Sequence, residues 1–233
     1  MMLLAGGFGT RLAQVVADVP KPLAPVNGTP FLYYVLESFV QQGVNDYIFL
    51  LHHMAEKMVD FVVKEHESGI LENCTVRFVR EETPLGTGGS VANAVRELKL
   101  DSGFFVSNAD TWLNAGIEEL YNASETSIGV VKVKDVSRYG KVNLNGNSIQ
   151  SFEEKTPNAG EGFINAGLYY FKPQVFAQIK ETAFSMETFI FPKLVKEGKL
   201  FGKEINSDFI DIGIPEDYYR FCKWIESNKK EKL

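Results

Sequence analysis

The sequence predicts an α/β protein built on a doubly wound, mostly parallel sheet with a small antiparallel subregion. Three observations predict it. Through the first half of the chain, short apolar runs of strand length alternate with segments whose apolar residues recur at helical spacing. That alternation implies parallel strands joined by right-handed crossovers. In the second half, β-type runs flank the turn Asn145-Gly146-Asn147, a hairpin signal.

The elements follow in order. Residues 1–5 are a short apolar strand. Phe31, Leu32, Val35, Leu36, Phe39 and Val40 repeat at helical spacing, and Gly43 is the stop signal. Residues 47–51 form a strand. Residues 54–66 form a helix with Met58, Phe61 and Val62 on one face. Residues 75–80 form a strand, 90–98 a helix and 104–107 a strand. After a strand at 127–134, residues 141–144 and 149–154 make the hairpin. Residues 167–171 are another strand, and 173–179 start a helix with Pro173 in the first turn. Residues 209–212 are a short strand, and 215–227 a closing helix opened by Pro215. The pattern is Rossmann-like. Open sheets of this kind bind ligands outside the carboxyl ends of their strands, so the loops after strands are the places to look.

The chain has 233 residues without a repeat, a low-complexity block or a Pro/Ser-rich linker, which suits one domain over 1–233. Apolar residues at 45% and charged residues at 23% exclude a disordered, collagen-like or disulfide-stapled chain. Lys+Arg is 24 against 30 Asp+Glu, a net charge of −6. That balance argues against a nucleic-acid-coating or membrane-surface protein, since phosphate backbones demand clustered positive charge. It leaves room for a small phosphorylated ligand, which needs only a few cations. Cys74 and Cys222 stand apart without metal-ligand spacing and read as free thiols in a reducing compartment. The apolar start is too short for a signal peptide, and no window reaches the roughly 20 apolar residues of a membrane span. A cytoplasmic location is the expectation.

The loop Leu4-Ala5-Gly6-Gly7-Phe8-Gly9-Thr10-Arg11-Leu12 follows the first strand. Its glycines lack the Cβ atoms that keep a ligand from the backbone, so their amides can converge on phosphate oxygens. Thr10 adds a hydroxyl and Arg11 a forked cation suited to phosphate. A tight turn without a ligand is the competing reading. A dinucleotide fingerprint fails because its third glycine falls on Leu12, and a P-loop fails for want of its closing Gly-Lys-Ser/Thr. In Pro20-Lys21-Pro22 two prolines stiffen the chain around one lysine. Beside a phosphate nest Lys21 is a fixed point charge; taken alone it reads as a solvated surface residue. Asp110 stands at the carboxyl end of the strand 104–107, and Asp211 lies within the apolar run 209–212. A charge amid apolar residues is costly unless paired or on a metal. A cap or turn aspartate at 110 and a salt-bridged structural aspartate at 211 are the alternatives. His52, His53 and His66 have no triad or metal pattern around them.

Together these residues resemble the signature of the sugar-phosphate nucleotidyltransferases. The resemblance covers nearly the whole chain: Leu4–Leu12 with Pro20 to Leu23, then Leu85-Gly86-Thr87-Gly88-Gly89, Asn108-Ala109-Asp110, Phe152-Glu153-Glu154-Lys155, Ile164-Asn165-Ala166-Gly167, and the run from Asp211 to Tyr218. Six motifs in this order are highly specific. The first strand is shorter than usual, and Ala109 stands where Gly is common; neither departure removes a charged group. The motifs look most similar to the members that join GTP to a heptose 1-phosphate, with mannose 1-phosphate members as cousins.

The resemblance implies nucleotidyl transfer: a sugar 1-phosphate oxygen attacks the α-phosphorus of a nucleoside triphosphate and pyrophosphate leaves. Such catalysis needs positioning and charge neutralisation more than an acid–base pair. It implies Arg11 on the departing phosphates, Lys21 at the α-phosphate, and Mg²⁺ on Asp110 and Asp211. Leu4, Ala5, Gly6, Gly7, Gly9, Thr10, Gly86, Thr87 and Gly88 are implied for the nucleotide, with Gly86, Gly88 and Gly89 letting backbone approach base and ribose. The nucleotide part would run to roughly 125 and the sugar part from there to 233. Sugar contacts are implied for Asn108, Tyr139, Gly140, Glu154, Lys155 and Asn165; Tyr139 reads equally as a turn aromatic.

Glu81 precedes the Leu85–Gly89 loop where pyrimidine-using relatives look like an amide. Guanine presents adjacent N1–H and N2–H₂ donors that one carboxylate accepts together, so Glu81 favours GTP. A solvated loop charge is the other reading of Glu81 and Glu82. Mannose 1-phosphate, UTP or CTP are the alternatives within the family. A non-catalytic nucleotide-sugar sensor would be expected to lose Arg11, Lys21 or an aspartate, and a nicotinamide oxidoreductase is disfavoured by Leu12. Tyr218, Tyr219, Phe221 and Trp224 suit packing on the core or on a second subunit, so a homodimer stays open.

Overall fold

The computed structural model describes every residue except 13–14, 17, 124, 158–159 and 232–233. The chain opens with β1 (Met2–Leu4), and a 3₁₀ turn at Lys21–Leu23 follows the glycine loop. Next come β2 (Pro25–Val26), β3 (Thr29–Pro30) and α1 (Phe31–Gln41). Pro30 immediately precedes α1, and the apolar spacing read from the sequence becomes its buried face of Phe31, Leu32, Val35, Leu36 and Phe39. After β4 (Asp46–Leu51), α2 (Ala55–Ser68) buries Met58 and Val62, and β5 (Thr75–Arg80) follows. Then come α3 (Gly86–Glu97), β6 (Phe104–Asn108), β7 (Thr111–Leu113) and α4 (Ile117–Tyr121). The second half holds β8 (Ser127–Val133), β9 (Lys141–Asn145), β10 (Ser148–Glu153) and β11 (Gly162–Phe171). A π-helical turn (Met186–Ile190) runs into α5 (Phe191–Lys196), and β12 (Phe201–Glu204), β13 (Phe209–Asp211) and α6 (Pro215–Glu231) close the chain.

The chain forms two compact units, each woven from separate stretches. The first unit comprises Leu3–Glu82, Asn108–Asn114 and Asp208–Leu233. Its sheet strands run β5-β4-β1, with β4 and β5 parallel in the register Asp46↔Thr75 to Leu51↔Arg80. The amide of Ala5 donates to Leu50 and that of Ala109 to Leu4, which fixes both strand ends beside the glycine loop. A separate antiparallel pair, β7 with β13, sets Asp211 opposite Thr111. Helix α6 packs on this unit through Phe221, whose ring is fully buried among Phe31, Tyr34, Trp112 and Trp224 at centroid distances of 4.9 to 5.9 Å. The aromatic face at Phe221 and Trp224 therefore packs on its own chain.

The second unit comprises Met1–Met2, Thr83–Ser107 and Ala115–Ser207. Its strand order is β6-β11-β8-β12-β10-β9. Strand β11 runs antiparallel to both β6 and β8, β9 and β10 form the expected hairpin, and β12 lies parallel to β8. The sheet is thus mixed, where the sequence predicts a mostly parallel one. A two-residue turn makes β9 and β10 antiparallel, β11 returns antiparallel to β8 after that hairpin, and β12, reached through α5, lies parallel to β8.

Several element boundaries differ from the sequence reading. The strand expected at 167–171 begins at Gly162, because β11 continues through a bulge between Asn165 and Tyr169. The helix expected over 173–179 is only a 3₁₀ turn at Pro173–Val175. Helix α3 starts four residues before the expected 90, with glycines in its first turn. Glycine lowers helix propensity, so apolar spacing alone places the start too late.

Candidate functional site

In the first unit the loop after β1 walls a cavity of about 180 Å³. Leu4, Ala5, Gly7, Gly9, Thr10 and Arg11 line it, joined by Lys21, Pro22, Asp110 and Gly213. Of the loop residues expected to meet a nucleotide, Gly6 alone is not in this wall; it backs onto His52, whose Cβ lies 3.1 Å from where a Gly6 Cβ would stand. Gly9 has a φ of +60°, and a Cβ there would sit 2.9 Å from the Cβ of Lys21. Glycine at 9 therefore lets the loop close against the lysine. Among the described residues Arg11 has no ion pair, so its guanidinium is available to an anion.

Lys21 is held between two carboxylates. Its ammonium donates to Asp110 and lies 3.6 Å from Asp211 Oδ1, with its side chain only 11% exposed. The convergence follows from the β7–β13 pairing: Asp211 faces Thr111, and the Ile212 amide donates to the Asp110 carbonyl at 3.0 Å. Asp211 Oδ1 also accepts the Gly213 amide at 2.6 Å. Burial, then the neighbouring charge of Asp110, pushes the Asp211 carboxyl above the usual carboxylate range, against the lowering by Lys21. Asp110 and Lys21 thus line the cavity with the glycine loop, and Asp211 stands beside Lys21.

In the second unit a cavity of about 240 Å³ opens between the β9–β10 hairpin, β11 and the π-helical turn. Tyr139, Gly140, Glu154, Lys155 and Asn165, the expected sugar contacts of this unit, all line it. Phe152 and Phe191 form an apolar wall, their rings 5.5 Å apart and 22° from parallel. The Asn165 amide serves its own strand: Nδ2 donates to Tyr169 Oη at 3.0 Å, and Oδ1 accepts the Gly167 amide at 2.9 Å. It braces the β11 bulge at the cavity wall. The guanidinium of Arg138 lies 5.6 Å from the Tyr139 ring centroid.

Other expected residues stand outside these two cavities. Asn108 ends β6. Glu81 follows β5, its amide donating to Leu51 and its carbonyl 3.0 Å from His52 Nδ1. Gly86, Thr87 and Gly88 open α3 in the second unit. The close approach that these glycines permit is taken by the chain's own segment 182–186. A Cβ on Gly88 would lie 2.3 Å from the Phe184 ring, and one on Gly89 2.3 Å from the Thr182 carbonyl oxygen. The Gly88 and Gly89 amides donate to the Phe184 carbonyl, so the open backbone face expected there is covered in this structure.

The sequence reading missed Pro22 and Gly213 in the first cavity and Lys141, Glu153, Glu187 and Thr188 in the second. For Glu187 a signal was present. Ser185, followed by Glu187 and then Ile190, Phe191 and Leu194, is a helix-start pattern. Ser185 Oγ accepts the amides of Glu187 and Thr188, as a cap does.

Comparison with known proteins places the chain among relatives. The Nucleotidyl transferase family model matches residues 1–228. The chain is 33% identical to the D-glycero-alpha-D-manno-heptose 1-phosphate guanylyltransferase of Campylobacter jejuni, over 94% of this chain and 97% of that protein. It is 35% identical to the mannose-1-phosphate guanylyltransferase catalytic subunit beta of Xenopus tropicalis, over 99% of this chain but 66% of that one. Among solved structures, HddC from Yersinia pseudotuberculosis complexed with GMP-PN superposes with a TM-score of 0.85 at 36% identity, covering 96% of this chain and 98% of that one.

Proposed function

The chain belongs to the nucleotidyl transferase family, and on that premise we propose that it transfers GMP from GTP to a sugar 1-phosphate, specifically a D-glycero-α-D-manno-heptose 1-phosphate. The observation that carries the transferase reading is the first unit's cavity. There a glycine loop, an arginine without an ion partner among the described residues, and a lysine pinned between two aspartates converge. The heptose follows from the Campylobacter relative, matched over 97% of its length. Mannose 1-phosphate is the second reading, favoured by the 35% identity to the Xenopus relative.

The residues act by placement and charge. Backbone amides of the loop around Gly7 and Gly9 receive phosphate oxygens, and Thr10 adds its hydroxyl. Arg11 neutralises the departing β- and γ-phosphates. Lys21, fixed by its two carboxylates, meets the charge that grows at the α-phosphate as the sugar phosphate oxygen bonds to phosphorus and the bond to the pyrophosphate oxygen breaks. Glu81 is assigned to the guanine N1–H and N2–H₂. Tyr139, Gly140, Glu154 and Lys155 line the cavity assigned to the sugar phosphate.

Asp110 and Asp211 fit Mg²⁺. Two carboxylates already converge on one cation beside a cavity, and this ion takes few carboxylates while keeping positions for water and phosphate oxygens. The raised Asp211 carboxyl is what a divalent cation would relieve. When bound, the ion supplies Lewis-acid polarisation of the phosphoryl oxygens.

The test follows pyrophosphate release with GTP, CTP, UTP and dATP against heptose, mannose and glucose 1-phosphates, with Mg²⁺ and again with EDTA. GTP with a heptose 1-phosphate is expected to be the best pair, and EDTA to abolish turnover. Lys21→Ala should lower kcat/KM by roughly a hundredfold or more with its circular dichroism unchanged. Release from UTP or CTP but not GTP would sink the guanine assignment, and a fully active Lys21→Ala would sink the cavity assignment.

A further inference from the structure

We propose that Glu187 is a specificity-determining sugar contact of the second unit's cavity, its Oε1 accepting a hydrogen bond from a hydroxyl of the sugar 1-phosphate. The inference rests on the reading above that this cavity takes that substrate.

The argument starts from how the carboxylate is held. Glu187 lies in the π-helical turn and lines the cavity with Glu154 and Lys155. Both hydrogen bonds that its side chain accepts fall on one oxygen. Thr87 Oγ1 donates to Oε2 at 2.9 Å, and Ser185 Oγ donates to the same atom at 2.6 Å. Oε1 accepts none among the described residues. A carboxylate has about four acceptor positions, so this one is anchored by one oxygen with the other open to a donor.

The anchor is itself rigid. Thr87 Oγ1 accepts the Met186 amide at 2.9 Å while donating to Glu187. The Phe184 amide donates to the Leu85 carbonyl, and the Phe184 carbonyl accepts from Gly88 and Gly89. Segment 184–187 is thereby clasped to the start of α3 by five hydrogen bonds before any ligand arrives. A side chain so fixed loses little freedom on binding, so its contact appears in affinity rather than being spent on ordering.

The chemistry of the cavity matches a sugar phosphate. Lys141 and Lys155 supply positive charge for a phosphate, and the stacked Phe152 and Phe191 offer an apolar wall for ring C–H groups. Glu153 is tied by Oε1 to Asn143 Nδ2 at 2.6 Å. Glu187, opposite in sign to the phosphate's partners, is suited to hydroxyl donors and repels the phosphate end. It thus orients the sugar as well as holding it.

The experiment measures kcat and KM for the sugar 1-phosphate and for GTP in wild type, Glu187→Gln and Glu187→Ala, with melting temperatures alongside. Loss of a hydrogen bond to a charged acceptor is expected to raise the sugar KM of Glu187→Ala roughly tenfold to a hundredfold, with the GTP KM nearly unchanged. Glu187→Gln keeps the size and one acceptor oxygen and should fall between. It carries the test if the alanine variant melts early. A monodeoxy sugar 1-phosphate lacking the bonded hydroxyl should bind wild type and variant alike. An unchanged sugar KM in the folded variants, an equal rise in the GTP KM, or a difference that no deoxy analogue removes would each overturn the assignment. A wild type that turns over no sugar 1-phosphate would overturn the function reading itself, and this one with it; an active wild type separates the two.

Discussion

Gly9 shows how one residue without a side chain governs one with a charge. Its φ of +60° lies in the left-handed region, and its missing Cβ is what lets Lys21 stand against the loop. An alanine there would meet strain of about 1–2 kcal/mol from the backbone alone. It would also press on the Lys21 Cβ, 2.9 Å away. Gly9→Ala is therefore expected to lower kcat/KM for GTP at least about tenfold and to cost a few degrees of Tm, because a 1 Å misplacement of a charged group suffices for such a loss. Steady-state kinetics with a thermal melt check it, and wild-type values in both would refute the role given to the loop. The glycines, Lys21 and both aspartates were legible in the sequence as residue types. What brings Asp110 and Asp211 to one ammonium is the register of β7 with β13. Two three-residue strands nearly a hundred positions apart leave no local periodic trace of their pairing.

At the scale of elements, α6 illustrates what the sequence shows well and what it cannot. Its opening Pro215 and aromatic content mark a helix, but not which surface the aromatics cover. The structure seats Phe221 against Phe31 and Tyr34 of α1 and Trp112 of β7, fully buried. The Tyr218 hydroxyl also donates to the Pro25 carbonyl, and Asn27 Nδ2 donates to the Cys222 carbonyl at 3.0 Å. Removing a buried Phe ring leaves a cavity as well as lost contacts, so Phe221→Ala should destabilise by about 3–5 kcal/mol. Chemical denaturation reads this directly; a loss below about 1 kcal/mol would mean the cluster is not the keystone of α6. Among the elements that sequence reading left out, α5 and β12 lie in the stretch 186–204. There a π-helical turn precedes the α-helix, and its five-residue hydrogen-bonding period breaks the apolar spacing that marks an ordinary helix. β11 was underestimated for a similar reason: its bulge at Asn165 interrupts the alternation that marks a strand.

For the whole molecule, a net charge of −6 accompanies two cavities that each carry cations: Arg11 and Lys21 in one, Lys141 and Lys155 in the other. The global balance argues against polyanion binding, and the local cations fit small phosphorylated ligands. Among the described residues no helix is long and apolar enough to cross a membrane. The sequence reading takes the chain as one domain with a nucleotide part to roughly 125 and a sugar part beyond; the two compact units are each stitched from stretches distant in sequence, which no local pattern marks. That stitching bears on synthesis. The first unit receives its final stretch only from residue 208 onward, and that stretch brings Asp211, Gly213 and all of α6. A polypeptide leaving the ribosome amino end first exposes its glycine loop early, yet lacks the second carboxylate and the aromatic seal until residues 208–231 emerge. A fragment stopped after residue 207 is expected to be cut rapidly by protease and to release no pyrophosphate, whereas the full chain resists and turns over. Completion of the unit that holds the glycine loop is thereby tied to the arrival of residues 208–231.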